Sequence, residues 1–249
     1  RVVSEIVSNY DVDGVFMDEP GFQSWCACKN CAAKLKKDLG LELPTKQNWS
    51  DPNWLEFIEW RYKSVTEFAS SIHRIIKGID SKKVCFLQFH FPISSFLSRR
   101  MPVFMYDILK IGWRHGSEYA GWYIPLIYGE NLREIVRHED VLSVEDYRSL
   151  SQLPVWWLGA SVHYAKSIDE NKPIFVLIES PYIPWNLVSL PEAELKVSVA
   201  SVVASGAQPW FAMYGPGVAN LANWKAIGES FNKLRELEEY LEKRERIKF

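Results

Sequence analysis

The 249 residues carry a formal net charge of −2 with both signs interspersed, which argues against nucleic acid or an anionic membrane as the main partner. No segment approaches the roughly 20 apolar residues of a membrane span, and the apolar stretch near the amino terminus is broken by Ser4, Glu5, Asn9 and Asp11, so no signal peptide is expected and a cytoplasmic location is the default. Apolar residues at 47% suit an ordinary core, whereas eleven Trp and eleven Tyr point to a cleft lined with aromatics.

Arg1 to Asn9 has helical spacing at Val2, Val3, Ile6 and Val7 and feeds straight into a strand, as the end of a βα unit does; the chain is expected to begin in mid-architecture. Val15, Phe16 and Met17, opened by Asp13-Gly14 and closed by Pro20-Gly21, read as a buried parallel strand with Asp18 and Glu19 at its carboxyl end. Ala32 to Leu39 is a short helix stopped by Gly40, and Glu42 to Ser50 is a polar connection. Asp51 as N-cap and Pro52 at the first helical position open a long helix. Its apolar face runs through Trp54, Phe57, Ile58, Val65, Phe68, Ala69, Ile72, Ile75 and Ile76 to Lys77. Gly78 ends it, and Val84 to Phe89 is a second strand with His90 at its tip.

Residues 91–136, broken by Pro92, Pro102, Gly112, Gly116 and Gly121, read as a long decorated loop with one helix near Val103 to Trp113. Val141 to Val144 is a third strand ending in Glu145, Pro154 to Ser167 an apolar helix, and Ile174 to Ile178 a fourth strand ending in Glu179. Leu195 to Ala204 is a small-residue helix stopped by Gly206, Trp210 to Tyr214 a fifth strand, and Trp224 to Leu241 an amphipathic helix.

Five strand-then-helix units without a hairpin signal imply a parallel sheet with right-handed crossovers, either doubly wound or closed as a (β/α)8 barrel. Carboxylates close three of the five strands. A barrel gathers all strand tips round one mouth, whereas an open sheet spreads them along a line. The expected fold is therefore α/β of the (β/α)8 TIM-barrel type, a single domain over residues 1–249. It is partial, comprising about strands four to eight with their helices, and its sheet edge and inward side chains would be exposed.

Hydrolysis of a glycosidic bond needs one carboxyl to protonate the leaving oxygen and a second to attack or to activate water. Asp18, Glu19, Glu145 and Glu179 are the candidates. Each alone is more often an N-cap or an ion-pair partner than a catalyst; the agreement of three strand tips favours chemistry. Sugar rings present apolar C–H faces that stack on aromatics, so Phe22, Trp25, Tyr182, Trp185 and Tyr214 are candidate subsite walls, while Trp54, Trp60, Trp156 and Trp224 fall on helices and read as core. His90 is a candidate hydrogen-bonding partner of substrate or a structural histidine. No HxH or HExxH motif occurs among the five histidines, so no catalytic metal is expected.

The ordered set DGVFMDEP, CACKNC, DPNWLEFIEWRYKSVTEFASSI, EDVLSVE, KPIFVLIE and ASGAQPWFAMYGP resembles the glycoside hydrolase-like barrels. The likeness is to the hypothetical glycosyl hydrolase group and to the family 42 β-galactosidases and family 29 α-L-fucosidases, over most of the chain outside residues 91–136. It implies a glycosidase acting on a carbohydrate through paired carboxylates. Likeness to the fucosidases would make Asp18 the nucleophile and Glu145 a candidate acid/base. Likeness to the β-galactosidases would make Glu19 the acid/base and Glu179 the nucleophile, although this chain has Asp18 where that family has Asn. Cys26, Cys28 and Cys31 resemble the zinc cluster of the family 42 enzymes, in which a fourth ligand comes from further upstream; the alternative is free thiols in a reducing compartment. A catalytically inactive carbohydrate-binding or assembly barrel is the rival reading, an open-sheet enzyme of another class is a third, and homo-oligomerisation stays open.

Overall fold

The computed structural model describes residues 1–22, 25–88, 128–146, 156–179, 189–213 and 216–242, with backbone alone at 145, 146, 179, 216 and 217. In chain order these form α1 (Val2–Asn9), β1 (Gly14–Met17), α2 (Lys29–Leu39), α3 (Pro52–Ile79), β2 (Val84–Leu87), α4 (Leu132–Ile135) running into a 3-10 turn (Val136–His138), and β3 (Leu142–Asp146). There follow α5 (Trp157–Ile168), β4 (Ile174–Glu179), α6 (Glu192–Ala204), β5 (Gln208–Ala212), α7 (Pro216–Ala219), α8 (Leu221–Glu236) and α9 (Glu238–Glu242).

Local chemistry explains the helix ends. Asp51 caps α3 by accepting the Asn53 N–H at 2.9 Å, with Pro52 supplying a fixed φ behind it. Gly40 closes α2 at φ +73, the left-handed conformation that only glycine adopts without a Cβ clash. Asn220 caps α8 through the Ala222 N–H. α6 begins at Glu192, earlier than its apolar run, because Glu192 and Glu194 in its first turn complement the helix dipole.

All strand pairings are parallel and join sequence neighbours: β1 with β2, then β3 with β4 and β4 with β5. A parallel bridge from Phe86 to Val141 links the two groups, as does the Asp140 carboxylate, which accepts the Cys85 N–H at 2.7 Å. The sheets are small and do not close among the described residues. No reversal of strand order, the mark of a doubly wound sheet, occurs among these strands.

The two faces of the strands differ. Toward the helices lie Val15, Cys85, Leu87, Leu142, Val144, Ile174, Val176 and Ile178, buried against Ala69 and Ile76 of α3, Leu158 and Val162 of α5, and Leu195, Val199 and Val202 of α6. On the other face Phe16, Phe86, Phe175 and Trp210 form one ring cluster, with Phe16–Phe86 at 4.9 Å, Phe86–Trp210 at 5.7 Å and Phe86–Phe175 at 6.1 Å between centroids. Phe16 on β1 also lies 5.3 Å from Trp210 on β5. In a flat sheet β1 and β5 would stand about 19 Å apart, four spacings of about 4.8 Å. The strands therefore curl about this aromatic layer, and the reading of five strands fanned flat is excluded.

Several expectations are corrected. Part of the region read as one long loop is helical, at α4 and the turn after it, while the helix expected at 103–113 lies outside the described residues. β2 stops at Leu87, and β5 starts two residues before its aromatic run. Pro209 is tolerated there because β5 pairs on one side only among the described strands, and Pro needs an edge. Trp156 and Trp224, expected in the core, are 65% and 46% exposed. Trp156 precedes the first turn of α5, and Trp224 lies over α7, its indole N–H donating to the Val218 carbonyl at 2.9 Å.

Candidate active site at the strand tips

Asp18 follows the last residue of β1 and is exposed, while Glu19 is half-buried with φ +39, the one positive φ outside glycine among the described residues. A left-handed residue directly before Pro20 is sterically disfavoured, so the surrounding packing must hold it. Glu145 is the penultimate residue of β3 and pairs with Leu177, and Leu177 pairs with Trp210. Glu179 ends β4, two residues beyond Leu177, and pairs with Ala212. This register sets the Glu145 and Glu179 backbones roughly 8 Å apart, one strand across and two residues along. Position 18 lies two residues beyond Phe16, so the backbone positions 18, 145 and 179 belong to levels at or just above the aromatic layer. His90, Tyr182, Trp185 and Tyr214 lie outside the described residues.

Phe22 and Trp25 are half-buried and double as structure. Trp25 packs at a tilt against Trp54 at 5.1 Å, and Phe22 tilts over Trp60 at 6.2 Å, joining the second core cluster of Leu35, Trp54, Phe57, Ile58 and Trp60. Between the two rings sits the guanidinium of Arg61, 4.4 Å from Phe22 and 4.7 Å from Trp25. The loop is tied on its other side by the Phe22 N–H, which donates to the Tyr128 carbonyl at 2.8 Å. Gly21 permits this approach, since a Cβ there would stand 2.9 Å from that same carbonyl oxygen.

Sequence reasoning missed four buried polar residues around the site: Arg61, Gln88, Glu130 and Ser143, each at most 3% exposed. Gln88 continues β2 one residue past Leu87, its N–H donating to the Met17 carbonyl at 2.9 Å, and Ser143 pairs with Phe175 one strand on. The Ser143 hydroxyl is buried with no hydrogen-bond partner among the described residues. A signal was present for two of them. Arg61 interrupts an otherwise apolar helical face, and Gln88 interrupts the run VCFLQF.

Behind the site Glu139 is 4% exposed, and burial pushes its carboxyl well above the usual range. Lys172 opposes this while Glu130 and Asp140 add to it, and the Leu87 N–H bonds the carboxylate form. Lys172 itself donates to the backbone carbonyls of Val136 and Glu139.

The three thiols converge. Cys31 Sγ lies 3.1 Å from Cys26 Sγ, Cys28 Sγ accepts the Cys31 N–H at 3.4 Å, and all three sulfurs lie within 4.8 Å of one another. The Cys31 N–H at the start of α2, followed by the neighbouring thiols, lowers Cys28 to about 7. Burial, then the same neighbours, raises Cys31 to about 12. Thiolates 2.3 Å from a tetrahedral zinc stand about 3.8 Å apart, so the donor set and spacing fit three ligands of such a site. No fourth Cys, His, Asp or Glu joins the cluster among the described residues.

No protein-family model matches the sequence, and no curated protein sequence does. Among solved structures, the fold is similar to the PgaB (BpsB) glycoside hydrolase domain from Bordetella bronchiseptica, with a TM-score of 0.60 at 11% identity over 92% of this chain. This chain spans 59% of the length of that one. Bee venom hyaluronidase, solved with a hyaluronic acid tetramer, follows with a TM-score of 0.48 at 15% identity, covering 88% of this chain and 67% of that one. At that score the second adds nothing to the first. The α/β fold is thus glycoside hydrolase-like, while likeness to families 42 and 29 in particular finds no support.

Proposed function

We propose that the chain forms part of a (β/α)8 barrel, about strands four to eight, that hydrolyses O-glycosidic bonds of a carbohydrate with paired carboxylates at its strand tips. The observation that carries this reading is the 5.3 Å approach of Phe16 to Trp210 across five sequential parallel strands. Curvature of that kind would turn the residues beyond the aromatic layer, Asp18, Glu145 and Glu179, toward one mouth. The likeness in fold to a glycoside hydrolase domain supports the same reading.

Chemically, one carboxylic acid would protonate the leaving glycosidic oxygen while a second carboxylate attacks the anomeric carbon or draws a proton from water. Glu145 and Glu179, on neighbouring strands, are the preferred pair, with Asp18 and Glu19 alternates across the mouth. Half-exposed Phe22 and Trp25 offer rings for the apolar face of a sugar, joined in this proposal by His90, Tyr182, Trp185 and Tyr214. No cofactor takes part in the chemistry. Cys26, Cys28 and Cys31 would hold a structural zinc beside the loop that carries Trp25; when bound, the metal would cross-link that loop to the start of α2.

The test is single replacement, Asp18→Asn, Glu19→Gln, Glu145→Gln and Glu179→Gln, in the full chain against a panel of aryl glycosides and oligosaccharides. Two of the four should lose turnover by about a hundredfold or more. Undiminished turnover in all four refutes the proposal, and sugar binding without hydrolysis by the parent points instead to the catalytically silent barrel.

A further inference from the structure

Arg61 is 1% exposed and stands where the apolar face of α3 calls for a hydrophobic side chain, one turn beyond Phe57 and one before Val65. A Leu or Met would fill such a position without the desolvation that a buried cation incurs. Aromatic rings stand around the charge. The guanidinium carbon lies 4.4 Å from the Phe22 ring, 4.7 Å from Trp25 and 5.7 Å from Phe57, all within the range of a cation–π contact. Phe57 belongs to the same helix, whereas Phe22 and Trp25 come from the loop after β1.

Gly129 closes one side of the Phe22 ring. A Cβ at Gly129 would stand 2.9 Å from Phe22 Cδ2 and 3.2 Å from the Arg61 carbonyl, so that glycine packs against the ring and the Arg61 backbone together. The Phe22 N–H is fixed on Tyr128. Three residues before Phe22 is Glu19 at φ +39, a backbone state that persists only where the surroundings over-determine it.

We propose that Arg61 is a positioning residue: its planar guanidinium clamps the rings of Phe22 and Trp25 and thereby holds Asp18 and Glu19 in place at the strand tip. Its catalytic consequence rests on the glycosidase reading, while the clamp itself does not. Planarity is what separates arginine from lysine here: a flat guanidinium can lie against two rings at once, which the compact ammonium of lysine does not reproduce.

The experiment compares the full chain with its Arg61→Met and Arg61→Lys variants by amide hydrogen exchange. In both variants the amides of Asp18, Glu19, Gly21, Phe22 and Trp25 should exchange about tenfold faster or more, while those of α5 and α6 keep their parental rates. Where the parent turns over a glycoside, kcat should fall by about tenfold or more with KM changed by less than about threefold, the pattern of a displaced catalytic group. Parental exchange at the loop in a folded Arg61→Met chain overturns the proposal. So does loosening spread evenly through α5 and α6, or parental loop exchange in Arg61→Lys. If Arg61→Met does not fold, Phe22→Leu, which removes one clamped ring and keeps the charge, must loosen the Glu19 amide or the proposal falls. A parent inactive on every glycoside refutes the hydrolase reading and leaves the exchange comparison to judge Arg61 alone.

Discussion

Replacing Gly129 by alanine should destabilise the protein and act on the candidate site through the ring it displaces. Gly129 has φ +74, where an L-residue other than glycine costs about 1–2 kcal/mol. The new methyl would also lie 2.9 Å from Phe22 Cδ2 and 3.2 Å from both the Arg61 carbonyl and Val65 Cγ2, closer than side chains ordinarily pack. Overpacking of that kind adds about 1–3 kcal/mol. The sum is about 2–5 kcal/mol, or a fall in melting temperature of roughly 4–20 °C for a domain of this size. The internal comparison is Gly78→Ala near the end of α3, where a Cβ meets nothing within 4 Å and φ is ordinary. There the gain in helix propensity should stabilise by about 0.4–1 kcal/mol. Thermal and denaturant unfolding of the two variants beside the parent decide the matter. A Gly129→Ala chain that melts with the parent, or with Gly78→Ala, would show that Phe22 is free to move and that the packing argument around the strand-tip loop is wrong.

Glu139 sets a pH dependence. Its folded-state pKa lies above the ordinary value of 4.5, so the protonated form is favoured on folding; this contribution is complete below about pH 4.5 and is lost as pH rises through the folded value. Glu139→Gln keeps an oxygen for the Leu87 N–H and removes the titration, so its stability relative to the parent should climb above pH 4.5 with a slope of up to about 1.4 kcal/mol per pH unit. Parallel stability curves from pH 4.5 to 8 would count against it. For the thiols, metal analysis of the full chain purified without chelator should find about one zinc per chain, and Cys28→Ser should lower that content along with the hydrogen-exchange protection of the first turn of α2. A metal-free parent whose α2 is equally protected with and without added zinc speaks against the site.

The strands were legible because each is a short apolar run bracketed by turn residues, and each run was located to within two residues of its observed bounds. What sequence periodicity could not supply was pairing. β5 is set by its register on β4, which draws Gln208 and Pro209 into the strand ahead of the aromatic run. Helix starts were missed for a different reason: Glu192 and Glu194 begin α6 by electrostatics at its terminus, ahead of any apolar spacing. In the site, Asp18 and Glu19 were legible from their place after a strand. Arg61 was legible only as a break in the apolar face of α3; its burial was not, because a charged residue on a long helix is ordinarily assigned to the solvated face, and only the fold reveals three aromatic rings around it.

The aromatic layer explains why strand-end carboxylates could be read from sequence at all. Side chains alternate along a strand, so a residue two positions beyond a concave-face aromatic lies on the concave face too. Asp18 stands two beyond Phe16, and position 179 stands four beyond Phe175, while the register carries Trp210 through Leu177 to position 145. Asp18-Glu19 after β1 and Glu145-Asp146 at the end of β3 offer an acid at either parity, so parity picks out positions 18, 145 and 179 as the set in step with the ring-bearing positions and leaves 19 and 146 out of step. Under the proposed reading, positions of that parity are the ones a curled parallel sheet would bring from distant parts of the chain to bear on a single bond.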